Sequence, residues 1–406
     1  MKIIILGTRG FPNVQGGVEK HCQELAPRLV NSGCEVTVFT RDCYVDKSFK
    51  EFKGVKLVAL PAMRSKFLEA FFHTLLGVFA ARRIKPDILH IHAIGPAFFA
   101  LLARMLGMKV VVTTHGSNYM HLKWGRIARL ALRFFECVGM VFARDVIAIS
   151  KGIGEEIRRK YQRKAVVIPN GVLIPQIAST EDFLRKFGLR KGKYFLAVGR
   201  FVPEKGFHDL IRAFGRLGDS RRAAQNKNWP QRSGGHEHDQ WKLVIAGDAD
   251  HENKYSQELK RQAKENPDVV MTGFLTGQAL QEMYSHAGLF VLPSYYEGLP
   301  IVLLEAMSYG LTCLASDIAP HKEVGLKWPG VFKPGDICEL SGAMEYYMNR
   351  HMSEGDKSEQ IRKIKENYDW EKVATATRGV YERVLNPGWV ASAPSYADAE
   401  LAAVGS

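Results

Sequence analysis

The chain of 406 residues is informative first through what it lacks. It has no run of eighteen or more uncharged apolar residues, the length a membrane-spanning helix needs. Its amino terminus, MKIIILGTRG, has only four apolar residues before a glycine. That is shorter than the apolar core of a secretory leader and reads as a first β-strand. The six cysteines, at 22, 34, 43, 137, 313 and 338, include no C-x-x-C pair and form no dense framework. A reduced, cytoplasmic protein with free thiols is therefore expected. The G-x-G-x-x-G fingerprint is missing, which argues against a dinucleotide-dependent dehydrogenase. No nucleic-acid-binding motif accompanies the basic residues, so nucleic acid is not an expected partner.

Acidic residues are scarce in one half only. Residues 1–175 hold 27 Lys and Arg against 12 Asp and Glu, a net of +15. Residues 176–406 hold 29 against 30, a net of −1, so the whole excess of +14 belongs to the first half. That half is expected to meet something anionic, either a membrane surface or a phosphorylated substrate. With 46% hydrophobic and 24% charged residues, the composition is that of a globular protein, and the length allows two domains.

Short β-branched runs alternate with amphipathic stretches throughout. The first half contains KIIIL (2–6), EVTVF (35–39), VKLVAL (55–60), DILHIH (87–92), KVVVTT (109–114) and VIAIS (146–150). The second contains YFLAVG (194–199), KLVIAG (242–247), DVVMTG (268–273), GLFVLP (288–293) and LTCLAS (311–316). This rhythm predicts two α/β, doubly wound domains with parallel sheets. The expected boundaries are 1–172 and 173–370, with a helix over 371–386 returning to the first domain and a disordered tail over 387–406. The polar stretch 218–240 reads as an exposed insertion, and its His236 and His238 as loop residues rather than metal ligands.

Three stretches carry candidate chemistry. In GTRGFPNVQGGVEKH (7–21), glycines precede a helix whose free N–H groups and dipole suit phosphate. In VGRFVPEKGF (198–207), a strand-end loop carries Arg200, a fork of donors matched to phosphate oxygens, and Lys205, a mobile point charge. In SYYEGLPIVLLEAM (294–307), Glu297 precedes a tight turn, and Glu305 interrupts an apolar helix in which a carboxylate needs a donor partner. A surface Arg and Lys on a loop, or a Glu305 paired with a neighbouring cation, is the plain alternative.

Together GGVE (16–19), THG (114–116), SKG (150–152), IPNGV (168–172), VGRFVPEKG (198–206), PSYYEGLP (293–300) and LLEAMSYG (303–310) resemble the family-four retaining glycosyltransferases. The two glutamates match that family's E-x7-E signature, and the likeness spans roughly residues 2–385. The resemblance implies the GT-B fold, two Rossmann-like domains facing a central cleft. It also implies transfer of a hexose from a nucleotide diphosphate sugar, a UDP-sugar or GDP-sugar, with retention at the anomeric carbon. Arg200 and Lys205 would hold the diphosphate, with Gly17 approaching it. Glu305 would bind the ribose hydroxyls, and Glu297 would lie at the donor sugar, oriented with backbone N–H groups at Gly298 and Leu299. His115 would sit by the anomeric centre. No cofactor and no metal are expected, because two cations replace the metal at the leaving phosphate. The D-x-D of GDAD (247–250) is then structural. At 318–323, IAPHKE carries Ala-Pro where many members carry paired glycines.

The basic first half also has two amphipathic stretches, residues 64–85 and 121–144. In the second, Lys123, Arg126, Arg129 and Arg133 lie along one side of a helical wheel, and Trp124, Ile127, Ala131, Phe134, Phe135 and Val138 elsewhere. Ordinary packing would turn the apolar side chains towards the sheet. The charge suits an anionic membrane surface. A peripheral protein on the inner face of the cell membrane is expected, with a lipid-linked sugar as acceptor in surface-polysaccharide assembly. A soluble acceptor such as an inositol phosphate or a glucan is the alternative.

Overall fold

The computed structural model describes residues 1–63, 68–116, 125–225, 241–326, 330–348, 350 and 352–387, those of 219–225 by backbone only. The chain divides into two units, Met1–Gly171 with the residues from Tyr368 onward, and Val172–Asn367.

The first unit is built on a sheet of eight strands. They are β1 (Lys2–Leu6), β2 (Glu35–Arg41), β3 (Glu51–Phe52), β4 (Val55–Leu60), β5 (Ile88–His92), β6 (Val110–Thr114), β7 (Asp145–Ala148) and β8 (Val166–Val167). Their order is β3-β4-β2-β1-β5-β6-β7-β8. All pairs are parallel except β3–β4, an antiparallel hairpin turned by Lys53 and Gly54 at φ 48° and 81°. Ile3 sits opposite Val36 on one side and Ile88 on the other. Ile3–Leu6 are fully buried, as expected of a parallel strand covered on both faces. The helix Gly17–Asn31 lays Cys22, Leu25, Ala26 and Leu29 into the core beside Val36 and Val38.

The chain returns to this unit through the helix Trp370–Leu385, whose N-cap Asp369 accepts a hydrogen bond from the Glu371 N–H at 2.9 Å. Trp370, Val373, Tyr381 and Val384 join the same core. A Cβ at Gly171 would lie 2.5 Å from Trp370 Cδ2, so the bare backbone there is what lets the indole dock.

The second unit carries β9 (Tyr194–Val198), β10 (Lys242–Ala246), β11 (Val269–Gly273), β12 (Leu289–Leu292), β13 (Cys313–Ser316) and β14 (Val331–Phe332), in the order β11-β10-β9-β12-β13-β14 and parallel throughout. Its core gathers Phe195, Phe207, Leu210, Trp241, Leu243, Val291, Leu314 and Met344. Both sheets are Rossmann-like, and in each the strand order reverses once, between β1 and β5 and between β9 and β12. Open parallel sheets bind ligands outside the carboxyl ends of the strands at such a reversal.

The eleven strands read from the sequence all form. The three two-residue strands β3, β8 and β14 are additional, too short to show a pattern. One expectation is corrected. The helix Phe207–Gln225 runs through the first eight residues of the stretch read as an insertion at 218–240. The rest of that stretch, with His236 and His238, and the expected tail from 388 lie outside the described residues, as do Lys123 and Trp124.

Candidate functional site

In the second unit the strand-end loops of β9 and β12 meet at the reversal. After β9 the chain passes Arg200 and makes a single 3-10 turn, Pro203–Lys205, closed by Gly206 at φ 67°. A Cβ on Gly206 would stand 2.1 Å from the Pro293 carbonyl oxygen, so only glycine lets the turn seat against the end of β12. The Tyr295 N–H donates to the Glu204 carbonyl at 2.8 Å and fastens the two loops.

That seating brings two of the expected residues, Lys205 and Glu297, into contact, while Arg200 and Glu305 each meet a different partner. Lys205 Nζ donates to Glu297 Oε1 at 2.5 Å, and Ser294 Oγ donates to the same oxygen at 2.7 Å. Burial alone would raise the Glu297 carboxyl. The Lys205 charge, His321 and the two hydrogen bonds outweigh it and hold the acid below its ordinary value. Arg200 Nη1 donates to Asp250 Oδ2 at 2.9 Å. The D-x-D of GDAD thus supplies an anion for Arg200, a partner that sequence reasoning missed. Asp248, the other acid of the motif, instead accepts from Ala249 N at 2.8 Å and faces Lys260 Nζ at 3.0 Å.

Gly298 is half-buried and Leu299 buried, between Glu297 and the helix Ile301–Ser308. Glu305, on that helix, is half-buried, and its Oε2 accepts from Tyr284 Oη at 3.2 Å. Burial and the Glu305 charge push the Tyr284 phenol well up, so it stays a donor. The expected donor for this carboxylate is therefore a tyrosine from the helix Gly277–His286. His321, where the sequence departs from the paired-glycine pattern, is fully buried. Its Nδ1–H donates to the Ser316 carbonyl at 2.8 Å, and burial lowers it to about 4, leaving a neutral ring.

In the first unit Gly16 has φ 151°, and a Cβ there would sit 2.0 Å from Glu19 Oε2. Glu19 in turn grips the loop after β1, accepting from Arg9 N and Arg9 Nε at 3.1 Å each. Gly17 opens the helix with no side-chain cap, and a Cβ on it would meet nothing within 4 Å. An uncapped helix start leaves its first N–H groups without intrahelical partners. His115, just past β6, is half-buried. It stands beside His92, the last residue of β5, with His92 Nδ1 and His115 Nε2 3.1 Å apart. His21 from the first helix completes a cluster of three rings. Burial keeps all three imidazoles well below their ordinary value. His21 and His92 gave no signal in spacing.

The helix Arg126–Phe142 differs from the packing expectation. Its inner side buries Glu136, Val138, Gly139 and Met140, but Ile127, Leu130, Phe134 and Val141 stand exposed, at 87%, 69%, 58% and 54%. These four share one stripe, and Arg126, Arg129 and Arg133 run beside it at the same spacing. Phe98 bridges Phe135 and Phe71, at ring distances of 4.6 and 6.3 Å, to the helix Glu69–Ile84, which exposes Phe72, Leu76 and Phe79. Among the described residues no helix is long and apolar enough to cross a membrane.

The family model described as Glycosyltransferase Family 4 matches residues 15–173, and that described as Glycosyl transferases group 1 matches residues 179–367. An uncharacterised glycosyltransferase of Methanocaldococcus jannaschii is 27% identical, over 94% of this chain and 98% of its own. The lipopolysaccharide 1,6-galactosyltransferase of Salmonella typhimurium is 26% identical, over 87% and 90%. The crystal structure of Anabaena HepE in complex with UDP-glucose superposes with a TM-score of 0.73 at 18% identity, over 94% of this chain and 99% of that one. With both halves matched in order and both folded as Rossmann-like domains, the chain belongs to the group 1 glycosyltransferases of glycosyltransferase family 4 and has the GT-B fold.

Proposed function

We propose that the protein is a retaining glycosyltransferase that moves a hexose from a UDP-sugar or GDP-sugar to a lipid-linked sugar acceptor in surface-polysaccharide biosynthesis. One observation carries the donor reading. Arg200 and Lys205 stand at the carboxyl end of β9, at the reversal of the sheet, each against a carboxylate that an incoming diphosphate can replace as counter-ion. The cations meet the charge that builds on the leaving diphosphate as the sugar–oxygen bond breaks. In this reading no metal is needed there and no cofactor takes part.

Glu297 orients the transferred sugar, with the N–H groups of Gly298 and Leu299 beside it, and Glu305 takes the ribose hydroxyls. No carboxylate is assigned as a covalent nucleophile. Retention follows from attack on the face the leaving phosphate vacates, unlike the two-step route of retaining hydrolases. The acceptor is assigned to the basic first unit, Gly17 to the donor diphosphate, and His115, its imidazole neutral through burial, to the anomeric centre. UDP-glucose in Anabaena HepE and the lipopolysaccharide galactosyltransferase relative both favour this reading.

The exposed apolar stripe of Arg126–Phe142, with its row of arginines, supports peripheral binding to the inner face of the cell membrane. Aromatics would enter the headgroup region and cations would meet anionic lipids. A thermal-shift screen of nucleoside diphosphates and their sugars, with chelator present, tests the donor reading. One diphosphate family should raise the melting temperature and its sugar should turn over, with the product's anomeric configuration unchanged by NMR. Loss of the shift with chelator would remove the metal-free assignment, and an inverted product would remove retention.

A further inference from the structure

The first unit holds three imidazoles whose arrangement the proposed transfer does not explain. One ligand nitrogen from each of His21, His92 and His115 lies within 4.8 Å of the others. The ring centroids are 5.4, 5.0 and 5.4 Å apart for the pairs 21–92, 21–115 and 92–115. An imidazole bound to zinc at about 2.0–2.1 Å has its centroid about 3.2 Å from the ion, so three rings at tetrahedral angles have centroids about 5 Å apart. The same geometry puts ligand nitrogens about 3.3 Å apart. His92 Nδ1 and His115 Nε2 are at 3.1 Å.

The hydrogen bonds around the cluster separate these rings from their neighbour. His90, with its centroid only 4.1 Å from that of His92, has both nitrogens engaged, Nδ1 with Tyr381 Oη and Nε2 with Thr113 Oγ1, each at 2.7 Å. Among the described residues, His21 is hydrogen-bonded through one ring nitrogen. Its Nδ1 meets Asn170 Oδ1 at 2.9 Å, so Nδ1 carries the proton and the Nε2 lone pair is available. A carbonyl oxygen holding the far nitrogen of a ligating histidine is the usual outer-shell arrangement of a metal site. Ligation through His92 Nδ1 leaves its far Nε2–H, fully buried, with no acceptor among the described residues.

We infer that His21 Nε2, His92 Nδ1 and His115 Nε2 form a site for a single late first-row divalent cation, zinc above all, with a fourth position left open. Three neutral nitrogen donors select such ions over magnesium and calcium, which take oxygen. Spacing did not reveal the site, because the ligands come from a helix and the ends of β5 and β6 and are brought together only by the sheet. A bound ion takes the lone pair of His115, so occupancy and the part proposed for that residue in transfer exclude each other. This consequence alone rests on the proposed function.

The full chain, stripped with chelator, is titrated with Co²⁺ and followed by visible absorption, then loaded with Zn²⁺ for X-ray absorption at the zinc edge. Expected are the intense bands of a four-coordinate Co²⁺ site at a single ion per chain, displaced by Zn²⁺, and outer-shell scattering from three imidazoles. His21→Gln and His92→Gln each abolish the bands. Asn170→Ala keeps all three ligands and weakens Zn²⁺ binding about tenfold or more. Because buried variants can misfold, the X-ray signature of the unaltered protein stands as the second measurement. Six-coordinate Co²⁺ bands, zinc bound by sulfur or oxygen, or binding lost in His236→Ala with His238→Ala would overturn the site. Full transfer activity in the zinc-loaded protein would overturn only the exclusion of His115.

Discussion

Lys205 and Glu297 form an ion pair at 2.5 Å across 92 positions of sequence. The pair exists because Gly206 lets the β9 loop lie on the Pro293 carbonyl, and it leaves Lys205 with an anion before any ligand arrives. A donor diphosphate must share or replace that anion. Glu297→Gln keeps the shape, the Ser294 hydrogen bond and an acceptor for Lys205, but loses the charge. In the proposed transfer kcat should fall about 100-fold while donor affinity changes little, since the lost interaction is one made to the reacting sugar. Steady-state kinetics beside isothermal titration of the donor measure the split. Equal losses in both would reassign Glu297 to ground-state binding.

Arg200 faces Asp250, and its value to the proposed donor lies in a planar fork of donors. Arg200→Ala should weaken nucleoside diphosphate binding about 10- to 100-fold, the range for hydrogen bonds to a charged group. Arg200→Lys should recover only part of this. Calorimetric titration of the diphosphate into each variant decides it, and complete recovery by lysine would mean that Arg200 acts as a point charge.

His321 links stability to pH. Burial lowers it to about 4, and the unfolded ring titrates near 6.5, so between these values the unfolded chain binds more protons than the folded one. The stabilisation is complete above about pH 6.5 and is lost as the pH falls through about 4. A buried neutral ring contributes a slope of up to about 1.4 kcal/mol per pH unit in that window. His73 is lowered in the same way, to about 4, by burial and the Arg41 charge, and adds the same sign. Melting temperatures measured from pH 7 to pH 4.5 should fall for the parent protein and fall less steeply for His321→Asn. Parallel curves would mean that the ring is charged in the folded state.

The strands and the two-domain plan were legible because a parallel strand buried on both faces is an unbroken β-branched run, as in KIIIL and KVVVTT. Arg200, Lys205 and Glu297 were legible as residue types at strand ends, and Glu305 as a carboxylate interrupting an apolar helix. Their partners were not. Asp250 answers Arg200 from fifty positions away, and Tyr284 answers Glu305 from a different helix. Such contacts are set by which strands lie side by side, and local spacing carries no trace of that. The exposure of Ile127, Leu130 and Phe134 was likewise hidden, because an apolar stripe looks the same whether a sheet or a membrane covers it.

Two glycines of the first unit should respond in opposite ways. A methyl at Gly171 would lie 2.5 Å from Trp370 Cδ2 and 3.0 Å from its Cα, so the carboxy-terminal helix must shift. Gly171→Ala should cost about 1–3 kcal/mol. At about 2–4 °C per kcal/mol for a unit of this size, the melting temperature should drop visibly. At Gly17 a methyl meets nothing, so Gly17→Ala should leave the melting temperature unchanged or slightly raised. If Gly17 serves close approach of a phosphorylated ligand, that variant should lose transfer activity without losing stability. A stable, fully active Gly17→Ala protein would leave the glycine as a plain helix start.

The helix Arg126–Phe142 makes the most direct claim on cellular location. Its cations and its exposed apolar stripe are neighbours on one face, so charge and insertion should contribute separately. Each basic residue near an anionic surface is worth about 1 kcal/mol. Reversing Arg126, Arg129 and Arg133 together to Glu should therefore lower affinity for anionic vesicles at least about 100-fold, and salt should mimic the change. Phe134→Ala should weaken binding to the same vesicles in a way that salt does not reproduce, because the loss is of buried apolar area. All these positions are solvent-facing, so melting temperatures should stay close to the parent value. Sedimentation with vesicles of phosphatidylglycerol, against neutral phosphatidylcholine vesicles, reads both contributions. Absence of binding to anionic vesicles at low salt would remove the membrane assignment and point to a soluble acceptor for the same donor site.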